Sequence, residues 1–212
     1  MYRMQSCANI AAQIILITAD AMMVKLMPDT GSDMSTSSAK HASVTMTFRI
    51  EKTVMEVLRS ESDRMEISLN ILVNQILRRY TEWGMYEPKV GMIPIAKPLV
   101  SALFERANEK EIMAIARKVG KNTVHDIALF MKSRMDLESF LSWFEMRIKT
   151  SSIDFNHSRL VNGRHTYVIK HDLGYNWSLY HKTILELIFN ETLQKRIDIA
   201  ITPTTMTLVF DE

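Results

Sequence analysis

Cysteine is almost absent: Cys7 is the only one in 212 residues. A disulfide framework and a cysteine-based zinc site within one chain are thereby excluded, and the usage fits a reducing, cytoplasmic compartment. Excess charge of one sign is also lacking, with a net charge of +2 and a pI near 8.6. Binding to a polyanion would therefore have to come from a local arrangement of charges rather than from a global field. There is no glycine-rich phosphate loop, no nucleophile elbow and no His-Glu pair at helical metal spacing. Asp172 beside His171 is one acid next to one base, so neither an enzyme nor a cofactor is expected. Long uninterrupted apolar runs are missing too. The longest apolar segment, Ala8 to Met27, carries Gln13, Asp20 and Lys25 and makes a poor membrane span, so no membrane partner is expected. Met1 to Ala21 has the outline of a signal peptide, with Arg3, an apolar run and the triplet Ala19-Asp20-Ala21. Met34, which opens the Ser/Thr-rich stretch MSTSSAKHAS, offers a second start. On either reading, residues 1–42 are expected to form a poorly ordered or loosely helical tail.

What is present is 47% hydrophobic and 24% charged, enough for one or two modest domains with real cores. The clearest pattern runs over residues 44–83, within a first domain expected at 43–84. Val44, Met46, Phe48 and Ile50 alternate with Thr45, Thr47 and Arg49, the period of a strand with one apolar face. A lone strand of this length is not stable, and no second strand pattern lies nearby to form a hairpin. The simplest partner is the same strand from a second copy, in an antiparallel ribbon. A helix follows from about Thr53 to Met65, with Val54, Val57, Leu58 and Met65 expected inward. Ser68 reads as the N-cap of the next helix, from Leu69 to about Trp83. That helix carries Leu69, Leu72, Val73, Ile76, Leu77 and Tyr80 at amphipathic spacing.

This strand-helix-helix order resembles the ribbon-helix-helix fold of the Arc and MetJ class of repressors, over these forty or so residues. The resemblance implies that Thr45, Thr47 and Arg49 enter the major groove of double-stranded DNA, while Met46, Phe48 and Ile50 seal the core of a homodimer. It also implies that Ser68 and Asn70, at the start of the second helix, hold a DNA phosphate. A helix N-terminus suits that role, because its free amides carry a partial positive charge. Many members have Gly two residues before that Ser, where this chain has Glu66. The basic residues Arg49, Lys52, Arg59, Arg64, Arg78 and Arg79 are balanced by Glu51, Glu56, Glu61, Asp63, Glu66 and Glu82, which favours specific contact over indiscriminate binding.

Closely spaced Gly84, Pro88, Gly91, Pro94 and Pro98 predict a linker over residues 85–98. Residues 99–212 then read as an α+β domain. Its first part is helical: 96–107 with Leu99, Leu103 and Phe104; a capping box at Asn108 and Glu111 opening a helix that ends at Gly120; another opened by Thr123 and Asp126 and running to about Met135; and a fourth capped by Asp136, with Leu137, Phe140, Leu141, Phe144 and Ile148 on one face. Asn162-Gly163 predicts a two-residue hairpin. Gly174 precedes an aromatic helix with Trp177, Tyr180, His181, Ile184 and Ile188 on one stripe. Ile197, Ile199 and Ile201, then Met206, Leu208 and Phe210, flank Pro203-Thr204-Thr205 as a second strand pair. The whole is an α+β chain: an N-terminal ribbon-helix-helix (β-α-α) dimerisation module, a helical segment and a β-β-α-β-β unit.

In this second domain the densest polar segment is His165 to His181, with His171, Asp172, Tyr175 and Trp177. Three imidazoles and a carboxylate are potential metal ligands, but they span a strand and a helix rather than standing at i, i+4, so no metal is assigned. The resemblance implies a cytoplasmic, homodimeric, sequence-specific transcriptional regulator whose second domain senses an unidentified small-molecule effector or mediates higher assembly. Two other readings stay open: an antitoxin, a class that uses the same fold with a short C-terminal arm, and an interaction protein whose ribbon only dimerises.

Overall fold

The structure is a computed structural model that describes residues 44–212; the expected tail and its signal-like segment lie outside the described residues. The chain divides into two compact units, with the boundary between Glu82 and Trp83.

In the first unit, residues 44–51 carry no regular secondary structure. The alternating segment is therefore not a strand in the single chain, because a strand needs a ladder partner and none of the described residues supplies one. Helix α1 spans Lys52–Arg64 and α2 spans Leu69–Arg79, followed by a π-helical turn, Tyr80–Gly84, in place of the last helical turn expected up to Trp83. The Ser68 cap forms as expected: its hydroxyl accepts from the Ile71 amide at 3.2 Å. Between the helices, the Ile67 amide donates to Ser62 O at 3.0 Å and the Glu66 amide to Asp63 O at 3.1 Å. This is a Schellman closure, which requires a left-handed residue at its first position beyond the helix. Glu66 takes that conformation, with φ 54°.

The second unit places its helices on one face of a four-stranded antiparallel sheet. Helices α3 (Lys97–Phe104), α4 (Glu109–Ile115), α5 (Lys121–Lys132) and α6 (Leu137–Thr150) precede β1 (Asp154–Arg159) and β2 (Arg164–Lys170). Helix α7 (Tyr175–Leu187) then crosses over to β3 (Asp198–Ile201) and β4 (Thr205–Asp211). The sheet order is β1-β2-β4-β3, so the β-β-α-β-β reading holds and the class is α+β. Alternation sorts the strands: His165, Tyr167 and Ile169 of β2 and Met206, Leu208 and Phe210 of β4 are buried against the helices, and Phe140, Trp143, Phe144, Ile184, Ile188 and Phe189 cover them. Trp83 and Val90 belong to this same core, so part of the Pro/Gly-rich segment packs rather than spans.

Two expected features differ. Asn108 and Glu111 form their capping box, but the helix does not end at Gly120, and Thr123 with Asp126 caps nothing. Helix α4 instead continues through a π-helical turn, Ala116–Gly120, into α5. Gly120 is helical, and its lack of a side chain serves packing: a Cβ there would stand 2.5 Å from Ile184 Cδ1 and 2.7 Å from Tyr180 Oη. The hairpin is also one residue longer than Asn162-Gly163 suggested. Arg159 pairs with His165, and the Leu160 amide donates to Arg164 O at 2.8 Å, leaving Val161, Asn162 and Gly163 as the loop. Only Gly163 has positive φ, at 82°; the Asn162 side chain instead accepts from the Arg164 amide at 3.1 Å. A three-residue turn with glycine in the left-handed position is the next commonest hairpin solution.

Candidate functional site

Most of the large apolar side chains of the first unit are exposed in the single chain. Leu72 is its one buried apolar side chain among the described residues. Val44 is 84% exposed, Met46 68% and Phe48 55%, and Ile50, Val54, Val57, Met65, Ile71, Ile76, Leu77 and Tyr80 are exposed with them. Val54, Val57 and Met65, expected inward on the first helix, thus face solvent in the single chain. A pair of helices holding so little apolar surface out of water has almost no hydrophobic stabilisation of its own.

The polar positions singled out in the sequence fall into two groups. Thr45, Thr47 and Arg49 are exposed along the extended segment. Ser68 and Asn70 are exposed at the start of α2, where the Asn70 carbonyl accepts from Asn74 Nδ2 at 2.8 Å. The Ser68 hydroxyl takes the Ile71 amide, which leaves the amides of Leu69 and Asn70 as the orphan donors of the first turn.

Of the segment His165 to His181, the structure brings His171, Trp177 and His181 into one ring stack, with the His171 and Trp177 centroids 4.3 Å apart, while His165 is bonded elsewhere, to His157 and Glu212. His171 is fully buried, and both its ring nitrogens are engaged: Nδ1 accepts from the Leu173 amide at 3.0 Å, and Nε2 lies 2.8 Å from Ser178 Oγ. Burial holds its pKa below the usual histidine value. His181 donates through Nδ1 to Trp177 O at 3.0 Å and stacks on the Trp177 ring, with centroids 3.8 Å apart. Burial pushes its pKa down to about 3. Asp172 and Tyr175 are exposed. Among the described residues, no group of three or more His, Cys, Asp or Glu side chains is placed to hold a metal ion.

A different polar cluster forms on the helix-covered face of the sheet, and the sequence reading missed it. His157 Nδ1 lies 3.2 Å from Glu145 Oε1 of α6, His157 Nε2 lies 3.0 Å from His165 Nδ1, and His165 Nε2 lies 3.1 Å from Glu212 Oε1. Tyr167 donates to Glu145 at 2.8 Å, and the Arg159 guanidinium meets Glu212 at 2.6 Å. Burial lowers the His157 pKa while Glu145 pulls it upward; Tyr167 is raised, first by burial and then by its bond to Glu145. Glu212 is held below its usual value by its bonds to His165 and Arg159. The one signal in the sequence was alternation: with Arg159 opposite His165, His157 falls opposite Tyr167 and on the same face.

Among the described residues, no helix is long and apolar enough to cross a membrane. Comparison with known proteins adds no identity, since no family model and no curated protein matches the chain.

Proposed function

We propose that the protein is a homodimeric, sequence-specific DNA-binding transcriptional regulator. The observation that carries this reading is the alternating segment at 44–50, whose apolar side chains are uncovered in the single chain and which leads into a helix pair almost without a core. An antiparallel pairing of this segment with that of a second copy would satisfy both backbones and bury Met46, Phe48 and Ile50. It would also gather Thr45, Thr47 and Arg49 from each chain on one polar face, and a two-stranded ribbon fits the major groove. Ser68 and Asn70, with the orphan amides of the α2 N-terminus, suit a backbone phosphate, which positions the protein without reading sequence. The second unit, complete in its own core, acts as an effector or assembly domain and leaves the bases to the first.

The test is selection of bound fragments from random-sequence DNA with the full chain, alongside sedimentation. A dimer with a defined base preference is expected. Arg49→Ala should keep the dimer and flatten that preference, losing on the order of 1–3 kcal/mol of discrimination per guanine contact. A monomer would remove the ribbon, and unchanged base preference in the variant would remove the groove placement. A dimer that binds no DNA even at low salt would leave dimerisation as the ribbon's sole role.

A further inference from the structure

The two rings of His157 and His165 are set edge to edge. Their planes differ by 17°, their centroids are 5.1 Å apart and the facing nitrogens are 3.0 Å apart, the arrangement of an in-line N–H···N bond. Each ring is held from the side: His157 stacks on Tyr167 at 4.0 Å with planes 7° apart, and His165 on Phe210 at 5.0 Å and 12°. The His165 side chain is 6% exposed and that of His157 26%. Stacking on Tyr167 and Phe210 holds both ring planes, so the hydrogen bonding within the pair is set by where the protons sit.

The protons can be counted. Glu145, His157, His165 and Glu212 make a chain of three contacts, and each needs one N–H, because ionised carboxylates only accept. Two neutral imidazoles bring two N–H groups between them. In the doubly neutral pair, one N–H bridges the rings and the other serves one end, so the remaining carboxylate faces a bare nitrogen. Either end tolerates this, since Glu145 keeps the Tyr167 hydroxyl and lies 3.8 Å from Lys149 Nζ, and Glu212 keeps Arg159. One additional proton completes all three contacts.

We propose that His157 and His165 form a single-proton switch which, on taking up one proton, completes an unbroken hydrogen-bonded chain from Glu145 of α6 through both rings to Glu212 beyond β4, added to the Tyr167–Glu145 and Arg159–Glu212 contacts that stand without it. The groups facing the pair are Glu145 and Lys149 from α6, Arg159 from β1, Tyr167 from β2 and Glu212, so two carboxylates flank the cation while Arg159 and Lys149 oppose it. Burial holds the His157 pKa below the ordinary histidine value, against the upward pull of Glu145. The pair titrates as one unit, and the macroscopic step belongs to both rings. This inference is independent of any DNA contact.

The experiment is histidine-detected 15N NMR on the full chain across pH 8 to 5, which distinguishes protonated from bare ring nitrogens. Above the step, His157 Nδ1 and His165 Nε2 should share a single proton and show averaged, partly bare shifts. Below it both should be fully protonated, and one inter-ring nitrogen should remain bare. Glu145→Gln, which keeps a hydrogen-bonding side chain, should move the step to lower pH, while the signals of His125, on α5 and outside the chain, stay in place. His157→Gln should abolish the coupled step. Two unlinked titrations in the unaltered protein, or a step that ignores Glu145→Gln in a variant of native circular dichroism, would overturn the proposal.

Discussion

Ser178 Oγ on α7 stands 2.8 Å from His171 Nε2 and donates its own proton to Thr202 O at 2.8 Å, joining the end of β2, the crossover helix and the β3–β4 turn through one hydroxyl. Because His171 Nδ1 accepts from the Leu173 amide, the ring proton sits on Nε2 and the hydroxyl is its acceptor. Ser178→Ala leaves a buried N–H and a carbonyl without partners, and should destabilise the second unit by about 1–3 kcal/mol. Urea denaturation of the full chain measures this, and an unchanged midpoint would show that the junction contributes nothing.

Gly120 meets Ile184 and Tyr180 where the π-helical turn crosses α7. Alanine is the better helix former, so propensity alone predicts that Gly120→Ala stabilises by about 1 kcal/mol. The close approach predicts the reverse: the methyl group displaces a buried isoleucine, and overpacking of this kind costs about 1–3 kcal/mol. A fall in thermal midpoint is expected. A rise would mean that Ile184 and Tyr180 yield freely.

Glu66 occupies a left-handed conformation that glycine adopts without penalty. Glu66→Gly should stabilise the turn between α1 and α2 by about 1 kcal/mol, seen as slower hydrogen exchange of the Ile67 amide, which closes that turn. Under the proposed function it also removes a carboxylate near the phosphate site and should tighten binding to all DNA sequences alike. Faster exchange at Ile67 would show that the Glu66 side chain holds the turn itself.

The histidines predict acid lability. His157, His171 and His181 all have pKa values lowered in the fold, chiefly by burial, with His181 at about 3. A group whose folded pKa is lowered binds fewer protons in the native state than in the unfolded chain. Stability from the neutral rings is therefore complete above the unfolded value of about 6.5 and falls as pH drops through it. The loss continues toward pH 3 for His181 and is on the order of a few kcal/mol in total. Urea midpoints should decline from pH 7 to 4.5. A midpoint that stays level between pH 7 and 5.5 would show that these rings are more open to water than their packing implies.

Local signals in the sequence proved reliable where the physics is local. Ser68, Asn108 and Asp136 cap their helices because a short polar side chain reaches amides only three residues ahead. Strand alternation sorted Met206, Leu208 and Phe210 inward for the same reason, since it is a property of the backbone. Gly120 misled because a glycine that ends a helix and one that admits a neighbour look alike in one dimension; the neighbours, Ile184 and Tyr180, lie some sixty residues away.

The histidine chain separates the two kinds of information most clearly. Local spacing and alternation alone determined the caps at Ser68, Asn108 and Asp136, the four strands of the second unit and the α+β class, though not the helix boundary at Gly120. They also determined that residues 44–50 hold an apolar face with no partner in the described chain. The hairpin loop decided the rest. A two-residue loop at Asn162-Gly163 would set His157 opposite Val168, on the sheet face away from the helices. The three-residue loop sets it opposite Tyr167, beside His165 and beneath Glu145. One residue of register turns every side chain of β1 over, and which loop length forms is selected by the face of the sheet that the helices bury, which no local signal at Asn162-Gly163 contains.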